Sequence, residues 1–229
     1  MTSYPFVEYR RYTLHLGRRD ELITLFEREF VETQEAEGMT LLGQFRVLDR
    51  PELFVWLRGF PDMATRGDRL GAFYGGPAWK SNRDAANATM IDSDDVFLLR
   101  PAAPQFGFTH DVRGRAPIGS ETVPAGLFLA VTWFVADTVA FVTSFERSIA
   151  PALRAAGGQL RATYVRAHEE NNFPALPVRE ENVFVCFVAF DPGASRPAIE
   201  AVLAPHCDAR TELLWLTPTE RSALHLNGE

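Results

Sequence analysis

Two arginines stand inside segments that otherwise read as β-strands, Arg46 in Met39–Leu48 and Arg161 in Gln159–His168. A guanidinium on a half-buried strand needs acceptors, and a carboxylate-bearing ligand supplies them in bidentate geometry. Strand alternation places Thr40, Leu42, Gln44 and Arg46 on one face of the first segment, and Gln159, Arg161, Thr163 and Val165 on the matching face of the second. That polar face is expected to line the space between two halves of the chain. Arg46 and Arg161 are then the leading substrate-binding candidates, with Gln44 and Thr163 beside them; strands at a rim with simply solvated arginines are the competing reading. The other face, Leu41, Gly43 and Phe45 matched by Leu160, Ala162 and Tyr164, is expected to pack against helices.

The first strand-like segment offers proton chemistry. Glu8, Arg10, Tyr12 and Leu14 share one face, and Tyr9, Arg11, Thr13 and His15 the other. Tyr12 could orient a substrate through its hydroxyl, and His15 could act as general base because an unperturbed imidazole titrates near pH ~6.5. These two are the catalytic candidates and Arg10 a further binding candidate; plain core packing for Tyr12 and a solvated strand end for His15 compete with those roles. Trp56, Trp133 and Trp215 lie in strand-like runs and would make an aromatic wall for a flat ligand, with Trp56 and Trp133 assigned to binding and core packing as the alternative. His110–Asp111 is an acid–base pair in form, and His168 to Asn172 is a mixed oxygen and nitrogen donor set. Loop solvation explains both, so no metal ligands are assigned. Cys186, in an apolar run without a neighbouring base, reads as a small hydrophobe.

Positioning elements follow from a repeat. Phe26-Glu27-Arg28 recurs as Phe145-Glu146-Arg147 at an offset of 119, which also superimposes Leu41 on Leu160 and Phe45 on Tyr164. Phe54-Val55 and Phe60 recur as Phe184-Val185 and Phe190 at an offset of 130, so the second copy carries about eleven extra residues before that strand. In the first copy a strand from Phe6 to His15 precedes an amphipathic helix with Asp20 as N-cap and Gly38 as its stop. Strands Met39–Leu48 and Leu53–Phe60 follow as a hairpin, then a helical region broken around Tyr74 to Pro77, then a strand from Asp95 to Pro101. The second copy repeats this order: a strand from Leu127, a helix capped by Asp137 or Thr138 and bent at Pro151, strands Gln159–His168 and Asn182–Phe190, a helix begun by Arg196-Pro197, and a strand from Arg210. The order β, α, β, β, α, β, twice, is the ferredoxin-like arrangement, an α+β fold. The units span 1–103 and 126–229, joined by a Pro- and Gly-rich linker over 104–125.

Composition limits the function classes. With 46% hydrophobic residues, 229 positions can bury a core, and the net charge of -7, with Lys80 the only lysine, argues against nucleic acid as a partner. Neither a leader nor a membrane helix is legible, and two cysteines without paired spacing fit a reducing compartment, so a cytoplasmic location is expected. No GxSxG, HExxH, GxGxxG after a strand, or phosphate loop occurs, which removes the usual support for serine hydrolase, zinc protease, dinucleotide and P-loop chemistry.

Glu8 to Leu14 with Gly17, Gly75-Gly76-Pro77-Ala78-Trp79 and Leu98-Leu99-Arg100-Pro101 resemble the NIPSNAP family, a branch of the dimeric α/β barrel superfamily; Leu214 to Thr219 echoes the last of these in the second half. The resemblance implies two ferredoxin-like units whose antiparallel sheets face each other in an α/β barrel, closed here by one chain. It also implies kinship with cofactor-independent monooxygenases, isomerases and lyases of small, often aromatic molecules, and with haem enzymes. The expected function is binding of a small aromatic or carboxylated molecule between the sheets, with oxygenation, isomerisation or elimination as its chemistry, no cofactor, and assembly as a homo-oligomer open. A non-catalytic module for a ligand or protein is the alternative. Haem binding is a third reading that needs a histidine projecting into the cavity.

Overall fold

The computed structural model describes residues 2–110 and 114–225. Its strands are β1 (Thr2–Ser3), β2 (Phe6–Leu14), β3 (Thr40–Val47), β4 (Leu53–Phe60), β5 (Met90–Asp92), β6 (Val96–Pro101), β7 (Thr109–His110), β8 (Leu127–Phe134), β9 (Gln159–Arg166), β10 (Val183–Phe190) and β11 (Glu212–Pro218). The helices are α1 (Arg19–Leu25), α2 (Val31–Ala36), α3 (Arg66–Gly75), α4 (Pro77–Asn87), α5 (Thr138–Ser144), α6 (Ala150–Ala155) and α7 (Arg196–Leu203).

Each half builds one four-stranded antiparallel sheet, β3-β4-β2-β6 and β11-β8-β10-β9, so both have the ferredoxin-like order. The sheets join edge to edge at two seams. At one, Leu216, Thr217 and Pro218 of β11 pair with Val47, Arg46 and Phe45 of β3; at the other, Leu99, Arg100 and Pro101 of β6 pair with Arg166, Val165 and Tyr164 of β9. Every edge strand of one half is thereby covered by the other, and an antiparallel barrel closes within one chain. The short β5, which begins where the expected helical region ends and was not expected as a strand, extends the far end of β2.

The repeat extends to backbone detail. A π-turn over Phe26–Phe30 links α1 to α2, and another over Phe145–Ile149 links α5 to α6 at the same offset. Pro151 does not cause it, because Glu32 stands at the equivalent place in the first half and the turn is the same. Both helices stop at a glycine with positive φ, Gly38 at 80° and Gly157 at 86°. Asp137 caps α5 through its carboxylate, whereas Asp20 lies within the first turn of α1 and bonds Arg46 instead of capping.

A bulge at Leu42 in β3 and its counterpart at Arg161 in β9 corrects the expected strand faces. One extra residue reverses alternation, so Leu41 faces helices while Phe45 faces the barrel interior. Gln44, Arg46 and Thr163 consequently lie on the helix-facing side, and the space between the sheets is apolar and filled. Val7, Tyr9, Phe45, Phe128, Tyr164 and Phe187, drawn from both halves, are each at most 1% exposed within it. Phe108 of the connecting segment plugs one end, its N–H donating to the Tyr164 hydroxyl at 2.9 Å. Among the described residues, the space expected to hold a ligand between the sheets is occupied by packed side chains.

Candidate functional site

The polar residues that the barrel interior excludes collect on the outer side of the first sheet, beneath its helices. Register puts Arg10 opposite Trp56 and Trp56 opposite Gln44; Glu8 opposite Arg58 and Arg58 opposite Leu41; Tyr12 opposite Phe54 and Phe54 opposite Arg46. Arg10, Tyr12, Gln44, Arg46 and Trp56, all predicted from sequence, thus share one sheet face. Arg161 and Thr163 lie on the outer side of the other sheet, and Trp133 packs there against the helices of the second half, its indole N–H donating to the His206 carbonyl at 2.9 Å. Trp215 belongs to that same second-half layer, so no wall of three tryptophans forms. His15 is exposed at the end of β2, as is His168 in its loop. His110–Asp111 falls at the limit of the described residues, Asp111 lying outside them.

At the centre is Glu8, with no exposed surface. Its Oε2 accepts from Arg10 at 2.8 Å and Arg58 at 2.5 Å, and its Oε1 accepts from Arg66 Nε at 3.0 Å and Nη2 at 2.7 Å. Arg10, Arg58 and Arg66 are themselves buried. Burial by itself would raise the Glu8 pKa; the guanidiniums of Arg58, Arg10 and Arg66 outweigh it and hold the carboxyl well below the usual range. Among the described residues Glu8 is the one carboxylate these three arginines bond, so one negative charge faces three positive ones.

Neutral acceptors take some of the remaining donors. Arg58 donates to Gln34 Oε1 at 2.7 Å, Arg10 Nε donates to the Tyr12 hydroxyl at 3.1 Å, and Arg66 Nη1 donates to Asn171 Oδ1 and Asn172 Oδ1, both at 3.0 Å. Arg10 and Arg58 lie over the Trp56 ring at 5.2 and 5.1 Å from its centroid. Arg58 Nε, Trp56 Nε1 and both polar atoms of the Gln44 amide have no partner although buried. Several orphaned polar atoms on one sheet face are far from the usual state of a protein interior.

The extra residues of the second copy cover this layer. Asn171 and Asn172 meet Arg66, the Asn172 amide donates to the Met63 carbonyl at 2.6 Å, and the Phe173 ring stacks on Tyr74 at 6.0 Å. The insertion is thus a clasp from one half onto the polar layer of the other. Sequence reasoning missed Glu8, Arg58, Arg66 and this contact. A signal existed for Arg58, a lone charge amid the apolar Leu53–Phe60.

Tyr12 is pushed up by burial, so it remains a phenol across the physiological range. The cluster therefore offers donors and positive charge but no spare proton acceptor. Among the described residues no group of His, Cys, Asp and Glu is arranged to hold a metal ion, and no helix is long and apolar enough to cross a membrane.

Residues 7–104 match the family model NIPSNAP. Among solved structures the chain is similar to a proposed monooxygenase from Fusobacterium nucleatum, with TM-score 0.57, 10% identity, and 97% of this chain and 96% of that one covered. It is also similar to a proposed monooxygenase from Lactobacillus acidophilus, with TM-score 0.51, 13% identity and coverage of 96% and 98%. A chlorite dismutase mutant from Candidatus Nitrospira defluvii aligns with TM-score 0.50, 12% identity and coverage of 95% and 92%. At these identities the likeness is one of fold. No curated protein sequence matches the chain. The match makes the first ferredoxin-like unit a NIPSNAP domain, and the second unit completes the barrel.

Proposed function

We propose that the protein binds a small dianion, a carboxylate that also carries an enolate or phenolate oxygen, at Arg10, Arg58 and Arg66 on the helix-facing side of the first sheet. The observation that carries this reading is the buried charge imbalance: three guanidiniums around the single Glu8 carboxylate, with Arg58 Nε and Trp56 Nε1 unpartnered. Uncompensated buried charge is costly, and an anionic ligand relieves it. Asn171 and Asn172 occupy acceptor positions on Arg66 that ligand oxygens would take when the insertion withdraws. Stabilising an enolate or phenolate is the shared step of isomerisation, elimination and direct oxygenation of an ionised substrate, and pre-aligned guanidiniums serve it. Non-catalytic binding is the second reading, favoured by the absence of a spare proton acceptor in the cluster. In either case the ligand lies in the first half, beneath the helices, instead of between the sheets.

Oxalate is a suitable probe, being a compact dianion. It is expected to raise the melting temperature of the parent protein and to lose that effect in Arg58→Met. A double Asn171→Ala/Asn172→Ala variant should bind oxalate faster in stopped-flow measurements. If oxalate shifts neither the parent nor the double variant, the site is a structural ion network and the reading is wrong.

A further inference from the structure

The two halves are related by the repeat, yet they treat one equivalent groove in opposite ways. In the first half Glu35 lies at the rim between α2 and β3. Arg115 of the connecting segment fills that place, donating to Glu35 Oε2 at 2.7 Å and Oε1 at 2.9 Å and to the Leu41 carbonyl at 2.7 Å. In the second half the positions equivalent to Glu35 and Leu41 are Arg154 and Leu160, and they line an open groove. Its inner end, about 140 Å³, is walled by Val142, Phe145, Leu160 and Phe184; its mouth, about 280 Å³, is flanked by Arg154 and Arg161. The shared Phe106, Arg154, Leu160 and Thr163 make the two spaces continuous.

Charge reversal at the rim identifies what fits. Where the first half sets a carboxylate to receive the chain's own guanidinium, the second sets a guanidinium with no side-chain partner among the described residues. Arg154 and Arg161 are exposed and have no side-chain hydrogen-bond or ion-pair partner among the described residues; Glu146 is the one acid of the lining. The bulge in β9 turns Arg161 to this mouth. An apolar space of roughly 150 Å³ accepts a benzene ring.

We infer that the second half carries a separate binding site for an aryl carboxylate, with the ring among Phe145, Leu160 and Phe184 and the carboxylate between Arg154 and Arg161. The site is independent of the Arg10–Arg58–Arg66 cluster, and each can be tested without the other. Calorimetric titration of the full chain with phenylacetate should give one site at this groove. Arg154→Gln/Arg161→Gln should weaken it at least tenfold, and Val142→Trp, which fills the inner end from a half-buried position, should abolish it. Arg58→Met should leave it unchanged. Benzyl alcohol, which keeps the ring and lacks the charge, should bind at least tenfold more weakly than phenylacetate. The inference is overturned if the parent fails to bind phenylacetate at about 10 mM, a level that detects even Kd values far weaker than ~1 mM. It is also overturned if the double arginine variant binds like the parent, or if Arg58→Met alone removes binding.

Discussion

Replacing Glu8 by Gln preserves shape while deleting the only negative charge that Arg10, Arg58 and Arg66 contact among the described residues. In the native protein both carboxylate oxygens are engaged at 2.5 to 3.0 Å by Arg10, Arg58 and Arg66, and all four side chains are at most 1% exposed. Breaking a buried ion pair by removing one partner costs about 3–5 kcal/mol, because the remaining charge stays buried without compensation. For a chain of this size ~1 kcal/mol moves the melting temperature by roughly 2–4 °C, so a loss of about 10 °C is expected. Calorimetry and urea unfolding should both register it, with the urea slope unchanged. The acid limb gives an independent check. The folded Glu8 pKa lies below its unfolded value, so its stabilising contribution is fully present above the unfolded pKa of ~4.3 and is lost as pH falls toward the lower folded value. The parent should therefore lose more stability than Glu8→Gln between about pH 4.5 and the acid extreme. A variant within about 2 °C of the parent, or one with the same acid slope, would refute the view that this carboxylate neutralises the cluster.

Three other substitutions or reagents probe separate layers. Asp137→Ala removes a cap whose carboxylate accepts from Val139 N at 2.9 Å and Ala140 N at 3.0 Å; urea titration should show a loss of about 1 kcal/mol, and an unchanged midpoint would mean the cap contributes nothing. Phe187→Ala opens the barrel interior where Phe187 meets Tyr9 at 5.4 Å and Phe108 at 5.3 Å between ring centroids, and a cost of about 3–5 kcal/mol is expected; a loss under ~1 kcal/mol would argue against tight packing there. Burial pushes both thiols up, completely enclosing Cys186 and only partly Cys207. A thiol reagent at pH 8 should label Cys207 slowly and Cys186 only after unfolding, and rapid labelling of Cys186 would contradict the barrel wall.

Much of the architecture was legible because the repeat and the alternation of element types are carried by many residues at once. Phe26-Glu27-Arg28 and Phe145-Glu146-Arg147 do begin equivalent π-turns, and the two hairpins have the expected pairing. The direction of the strand faces was not legible, for a local reason. A bulge adds one residue without changing the composition of the strand, and at Leu42 and Arg161 that single residue moves Phe45 and Tyr164 into the barrel and Gln44 and Thr163 out of it. Arg10, Tyr12, Gln44, Arg46 and Trp56 do share one sheet face, but it is the outer one, and Arg161, Thr163 and Trp133, expected to join them, lie on the outer side of the other sheet. Alternation places Glu8 on its strand face without a role, and nothing singles out Arg66, because their partnership joins β2 to α3 across the fold, a relation that spacing along the chain does not encode.

The same duplication accounts for which layers of the fold are closed and which are open. When a single chain supplies both sheets, each open β face finds its complement in the other, and apolar side chains from both fill the space between them. Polar residues on the strands are left with the outer side, beneath the helices, and there the halves differ. In the first half this layer is closed by Asn171, Asn172 and Phe173 of the second copy's insertion and by Arg115 of the connecting segment. In the second half Arg154 and Arg161 face an open groove. A protein assembled from two identical single-unit chains would have to treat both layers alike; fusion frees one to be sealed over buried charge and the other to remain accessible. Deleting residues 169–177 should accordingly expose the Arg66 layer, raising the oxalate on-rate, and leave phenylacetate binding in the second half untouched. Loss of both responses together would mean that the insertion holds up the whole barrel, and that the two layers do not act independently.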